Sequence, residues 1–355
     1  MFIRGEHPGY VQQWNFDIQR EIANGFAVDV AYAGSHGIGL PGTIALNQLP
    51  DEFLKLGTSL TQQVPNPFVG MVTIGALSSP TVARSQLLRP YPQFTGVSVG
   101  STNVGNSIYH SMQLKATKRF NDSLIAVSYT VSKGIGDSEA VVGWLEPSGT
   151  PNSFMNNNNR RLDRSINAFD NPQRLVVSYN VALPFGHGRR WLGNSGPLRP
   201  VVSGWEFNGV YTAESGNPLF LGTASNLTNS SGGGSRPNST GKSAKLSGDA
   251  HDRLSQWFDT SVFTQPPAFT FGNVTRTLPD VRDHGQNNMD FGLVKNNRFL
   301  KDGRMNLQFR SEFFNVFNRV RFGNPGLTFG NPQFGVVTSQ VNLPRRIQFA
   351  LKLLY

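Results

Sequence analysis

The sequence predicts an all-β fold, an antiparallel transmembrane β-barrel represented by about nine strands. Three observations predict it. Apolar and polar residues alternate with period two in many short segments. The connections between those segments alternate between tight turns and long polar stretches. The chain closes on "RRIQFALKLLY", a strand-like run ending on an aromatic, where most soluble domains end in a polar tail.

The first strand is marked by Trp14, Phe16 and Ile18, with Gln13, Asn15, Asp17 and Gln19 opposite. "ANG" (23–25) supplies a turn. The second strand carries Phe26, Val28, Val30 and Tyr32, with Asp29 opposite. A Gly-, Pro- and Ser-rich stretch from about residue 34 to 107 reads as a long loop. Met112, Leu114 and Ala116 mark the third strand, "RFNDS" (119–123) a turn, and Ile125, Val127, Tyr129 and Val131 the fourth strand. A polar stretch from about 133 to 174 follows, and its "NNNNRR" reads as a segment that no core absorbs.

Leu175, Val177, Tyr179, Val181 and Leu183 form the fifth strand. "PFGHGRRWLGNSGPLRP" (184–200) is a connection of intermediate length. Trp205, Phe207, Gly209 and Tyr211 mark the sixth strand, and a third long polar loop runs from about 216 to 286. Met289, Phe291 and Leu293 mark the seventh, "KDGR" (301–304) a turn, and Leu307, Phe309 and Phe313 the eighth. The terminal strand follows one more loop.

Composition limits the alternatives. Phe occurs 26 times, Gly 38 and Pro 22, a mixture that favours short strands and turns over helices. No apolar run is long enough for a transmembrane helix, which a barrel does not need. There is no cysteine, hence no disulfide framework and no thiolate metal site. The net charge of +10 is scattered over turns and loops rather than gathered in a stripe, so no nucleic-acid partner is expected.

Strands of about 9–11 residues suffice to cross a bilayer at a barrel tilt. Long structureless loops argue against a compact soluble domain. In an outer-membrane barrel they lie outside, with the short turns in the periplasm. Counting back from Tyr355 puts every tight turn on one side. The expected location is therefore the cell outer membrane, with membrane lipid as the first partner. Trp14, Tyr32, Tyr129, Tyr179, Trp205, Tyr211 and Tyr355 suit an interfacial girdle. Glu206, Glu214, Arg310 and Glu312 fall on the polar phase and are candidates to face the lumen.

In series, "YVQQWNFDIQREI" (10–22), "VDVAYAGSHG" (28–37), "YHSMQLKATKRF" (109–120), "VSYTVSKGIGD" (127–137), "FDNPQRLVVSYNVALPFGHGRRW" (169–191), "GWEFNGVYTAESGNP" (204–218) and "LQFRSEFFNVFNRVRFGNP" (307–325) resemble the C-terminal barrel of TonB-dependent outer-membrane receptors. The Oar-like group, which carries an N-terminal carboxypeptidase-regulatory-like domain, is the nearest resemblance. It implies a 22-stranded barrel, a plug, a TonB box and energised uptake of a solute. The sequence departs from that pattern: no signal peptide, plug or TonB box is recognisable in it. The expectation is a single partial barrel domain over 1–355, a fragment of a receptor. Coupling to TonB then requires a plug and TonB box from the missing N-terminal part. The resemblance also implies that Phe349, Leu351, Leu353 and Tyr355 form a C-terminal signal read by the barrel-assembly machinery.

Enzyme constellations are absent from the sequence. His36, His187, His251 and His284 are isolated, and no metal or cofactor motif is present. "GSHGIGLPG" (34–42) lacks the phosphate-loop pattern and reads as loop, and "GDSEA" (136–140) is not a nucleophile elbow. "NLT", "NSS" and "NST" match glycosylation sequons in what reads as a bacterial chain. Two other functions fit the same pattern: a surface or adhesion protein that binds through its loops without transport, and a soluble secreted β protein that binds glycan.

Overall fold

The computed structural model describes residues 7–138, 154–194, 196–299 and 305–355. Nine long strands form one antiparallel sheet in chain order. They are β1 (Tyr10–Ala23), β2 (Phe26–Ala45), β3 (Ser98–Phe120), β4 (Ser123–Gly136), β5 (Gln173–Ala182), β6 (Trp205–Glu214), β7 (Gln286–Phe299), β8 (Met305–Phe314) and β9 (Arg346–Leu354). Each strand pairs with its sequence neighbours, so the wall is an up-and-down meander.

The register turns the period-two pattern into two chemically distinct faces. Val28, Ala116, Val127, Val177, Tyr211 and Met289 are consecutive cross-strand partners and make an apolar row. One residue away, Gln19, Asp29, Lys115, Ser128, Val176, Thr212 and Asn288 make a mostly polar row. A slip of one residue in any strand would exchange its faces. On the apolar face the rings of Tyr179, Phe207, Phe291 and Phe313 follow one another at 5.1, 5.3 and 4.6 Å. Strand direction sorts the expected girdle residues by height. Trp14 and Tyr211 lie towards the long-loop end of their strands, Tyr32 and Tyr129 are level with the loop end of β5 across the ladder, and Tyr179, Trp205 and Tyr355 lie towards the turn end.

The turns follow from local chemistry. β1 and β2 are joined through Asn24 and Gly25, where φ is +69° and a Cβ would stand 2.3 Å from the Arg119 carbonyl oxygen. The Gly25 N–H donates to Glu21 Oε1 at 2.8 Å. β3 and β4 turn through Asn121, at φ +49°, and Asp122. The "KDGR" turn at 301–304 lies outside the described residues, between the paired ends Phe299 and Met305.

The first loop begins later than the sequence predicts. β2 continues to Ala45 and stays paired with β3 as far as Ala45 and Ser98, so the first loop is 46–97 rather than 34–107. "GSHGIGLPG" is therefore strand, not loop. Beyond the bilayer neither face meets lipid, and the apolar alternation fades while the ladder continues. Gly34 has a packing reason: the Trp14 ring lies across it, 2.5 Å from where a Cβ would be.

The second departure is the loops themselves. The connections after β6 and β8 are not structureless. Leu219, Leu221, Trp257, Phe258, Val262, Phe263, Val274, Leu278, Val281 and Val337 bury a hydrophobic core of their own beyond the sheet. Phe258 and Phe334 meet edge-to-face at 5.2 Å. The outer edges of β1 and β9 have no strand partner among the described residues, and every residue of β1 is exposed. The nine strands form a wall rather than a closed cylinder, and in lipid such edges require pairing.

Candidate functional site

The candidate lumen residues all lie on the polar face, but not together. Glu214 meets its cross-strand partner Arg174 at 3.4 Å near the loop end. Glu206, at the other end of β6, accepts a hydrogen bond from Asn296 Nδ2 at 3.1 Å. Arg310 and Glu312 pair with each other at 2.8 Å. These contacts answer charge locally and leave no shared pocket. Phe349, Leu351 and Leu353 line the apolar face of β9, exposed at 67%, 67% and 51%, and Tyr355 follows them.

Loops from different hairpins interlock above the wall. Asp163, from the loop between β4 and β5, pairs with Arg236, from the loop between β6 and β7, at 2.5 Å. Both side chains are almost fully buried. Burial pushes the Asp163 carboxyl above the usual carboxylate range, while Arg236 draws it back. Burial likewise lowers Arg236. Arg276 donates to the Asp163 carbonyl at 2.9 Å and to the Gly136 carbonyl at 3.0 Å. Asp170 and Arg282 repeat the pattern at 2.6 Å.

The first loop joins through "NNNNRR", of which Asn156 alone is buried while Asn158, Asn159 and Arg161 stay exposed, as expected of a segment that no core absorbs. Asn156 is 2% exposed. It accepts from Gln48 Nε2 at 2.5 Å and donates to Asp51 Oδ2 at 2.7 Å. Asn157 donates through N and Nδ2 to Gln48 Oε1 at 2.8 Å each. Each buried amide has its donors and acceptors matched, which makes its burial tolerable.

Beneath the interlocked loops, a cavity of about 600 Å³ opens where the ends of β7, β8 and β9 meet the last two loops. Arg319, Arg321, Arg346, His251 and His284 line it, with Asp249 and Asp290. Arg319 donates to Asn287 Oδ1, and its guanidinium lies 5.0 Å from the Phe317 ring. Arg321 donates to the His284 carbonyl at 3.3 Å and to Gln286 Oε1 at 3.4 Å. Asp290 accepts from the Asn315 N–H at 2.7 Å and from Asn288 at 2.9 Å.

His284 is the hinge of this wall. Its Nδ1 accepts the Phe322 N–H at 3.0 Å, which leaves the proton on Nε2. Burial, then Arg321 and Arg253, push its pKa down, which favours the neutral ring. Next to it, Asp283 accepts the Asn217 N–H at 2.7 Å, and burial raises its carboxyl. His251 and His284, isolated in the sequence, share this cavity wall, yet among the described residues no group of three metal-ligating side chains forms.

The arrangement holds hydrogen-bond donors and positive charge over a polar wall. Such a surface suits contact with a polar, negatively charged group. Sequence reasoning missed Arg319, Arg321 and His284. The alternating arginines of "FNRVRFGNP" were the available signal.

The sequence profile of a family described as outer membrane beta barrel domain matches residues 3–348. No curated protein is similar. The crystal structure of the outer membrane transporter YddB from Escherichia coli is similar at 11% identity and a TM-score of 0.47, over 99% of this chain and 33% of that one. The chain thus spans about a third of that transporter's length. With the profile running the length of a two-faced antiparallel wall, the chain belongs to the outer membrane beta barrel domain family and is located in the outer membrane.

Proposed function

We propose that this chain is the barrel part of an outer-membrane receptor that takes up a polar, negatively charged solute. The loops capture the solute, and the TonB system supplies energy through a plug and TonB box joined to the barrel. The observation that carries the reading is the cavity at the mouth of the polar face, where Arg319, Arg321 and Arg346 outnumber Asp249 and Asp290. The resemblance of the strand series to TonB-dependent, Oar-like receptors supports the energised mechanism. On this reading the chain is not an enzyme, and the polar residues of the wall guide the solute without reacting with it.

The test is a thermal-shift screen of small organic anions and their neutral analogues against the complete protein in detergent. Anions should stabilise it, and Arg319→Gln together with Arg321→Gln should abolish that stabilisation. Hits that are neutral, or that persist in the double variant, would reject the cavity as the capture site. Uptake of a hit should then stop in cells that lack TonB. Uptake that continues would reject the energised mechanism alone.

A further inference from the structure

The connection 183–204 joins β5 to β6 at the periplasmic end. It is longer than the other turns there and is folded rather than loose. The Gly186 N–H donates to the Trp191 carbonyl at 2.8 Å, and the Trp191 N–H to the Pro184 carbonyl at 2.9 Å. The rings of Phe185 and Trp191 stand 5.5 Å apart. His187 N–H donates to Ser203 Oγ at 2.9 Å, tying the two halves together. A helical turn, Arg199–Val202, leads into β6.

Trp205 fixes where this segment sits. It lies on the apolar face of β6, in one phase with Phe207 and Tyr211. Its indole N–H donates to the Val201 carbonyl at 2.8 Å. Lys295 donates to the Ser203 carbonyl at 2.5 Å, and its ammonium stands 5.7 Å from the Trp205 ring. These bonds seat the helical turn against the lipid side of the wall, at its lower rim.

The surface it presents there is apolar and basic at once. Trp191, Leu192, Leu198 and Val201 are 51%, 58%, 61% and 63% exposed. Arg190 is exposed beside the Trp191 ring, at 5.9 Å, and Arg199 is exposed at the start of the helical turn. Neither has a carboxylate partner among the described residues, whereas Arg189 is held by Asp122 at 2.7 Å. Exposed apolar side chains interleaved with arginines are the pattern of a segment lying in a membrane interface, with apolar groups at the acyl boundary and guanidiniums at the phosphates. Trp191 extends the lower girdle of Trp205 and Tyr355 by one more interfacial aromatic.

We propose that this connection is an interfacial anchor that binds the phosphate groups of anionic phospholipids in the periplasmic leaflet. The occupant follows from two features: the patch continues the lipid-facing wall, and its uncompensated charge is positive. A preformed segment loses little conformational freedom on binding, so most of the attraction is retained.

The experiment uses the complete protein in nanodiscs of phosphatidylcholine mixed with phosphatidylglycerol, with retained lipid counted by native mass spectrometry. Phosphatidylglycerol should be enriched around the protein on the order of 25-fold, about fivefold for each of the two exposed arginines. Arg190→Gln and Arg199→Gln should each lower the enrichment about fivefold. Heat-modifiable mobility on gels reports that the variants are folded. Trp191→Phe should remove a component of tryptophan quenching by brominated phosphatidylglycerol. Equal retention of the two lipids, or enrichment unchanged in both arginine variants, would overturn the proposal. So would release of the bound lipid by inorganic phosphate alone, which would make the patch a free-anion site.

Discussion

Arg236→Met should unlock the loop cap while leaving the barrel wall intact. In the folded protein the Asp163 and Arg236 side chains are 2% and 6% exposed and 2.5 Å apart. Methionine replaces the volume of the arginine stem, so packing losses are small. The main effect is a buried carboxylate without its partner. Breaking one side of a buried pair costs about 3–5 kcal/mol. The Met155 N–H and the Arg276 bond to the Asp163 carbonyl remain, which places the expectation at the lower end of that range. About 3 kcal/mol raises the population of the opened cap more than a hundredfold.

Hydrogen exchange of the complete protein in detergent measures this directly. Peptides covering 154–170 and 230–240 should exchange faster by that factor, and β5 peptides should not change. The pH dependence has a definite sign. The folded Asp163 carboxyl is already raised by burial, and the variant removes the opposing pull of Arg236. The closed cap then binds a proton that the opened loop releases. Its stability therefore falls as pH rises from the ordinary carboxylate range through the raised one, and returns on acidification. Adding Asp163→Asn should restore protection at neutral pH. Unchanged exchange in the single variant, or exchange independent of pH, would refute the reasoning.

Further expectations concern the wall, the loops and the terminus. Val127→Arg or Val177→Arg should cost about 2–4 kcal/mol near the bilayer midplane, and Ser128→Arg, on the opposite face, much less; equal effects on folding into lipid vesicles would undo the facing assignment. Trypsin added to intact cells should cut after the exposed Lys242 and Lys245 while sparing buried Arg236 and Arg276 and the 301–304 connection; external cleavage at 301–304 would invert the topology. Deleting Tyr355 should slow membrane insertion more than Leu354→Asp, which alters the polar face. In pulse-chase assays, normal insertion followed by lower stability would reduce Tyr355 to a girdle residue.

The wall was legible because lipid imposes a strict rule: every second residue must be apolar. Val127, Val177 and Tyr211 obey it, and their partners across the ladder obey it at the same height. Where lipid ends, the rule ends. The Gly- and Ser-rich part of β2 therefore looked like loop although its pairing continues to Ala45. The cap was hidden for a different reason. Its apolar residues, such as Trp257, Phe258 and Phe263, sit in irregular backbone and carry no period. Its polar locks join residues far apart in sequence, such as Gln48 to Asn156 and Asp163 to Arg276. Asn156 looks as solvated as the rest of its run until Gln48 and Asp51 are in place. The candidate cavity needed three strands and two loops in place before its arginines and histidines met.

The account stands on one claim, that the two phases of each strand face different solvents. The sequence has no cysteine, so each introduced one is unique and carries a single spin label. Scanning Gln173–Ala182 in lipid vesicles, with oxygen as the apolar relaxant and a nickel chelate as the aqueous one, reads both environments along β5. Positions 175, 177, 179 and 181 should favour oxygen, and 174, 176, 178 and 180 the chelate, with a period of two. Equal access of the chelate to both sets, or the opposite phase, would contradict the account.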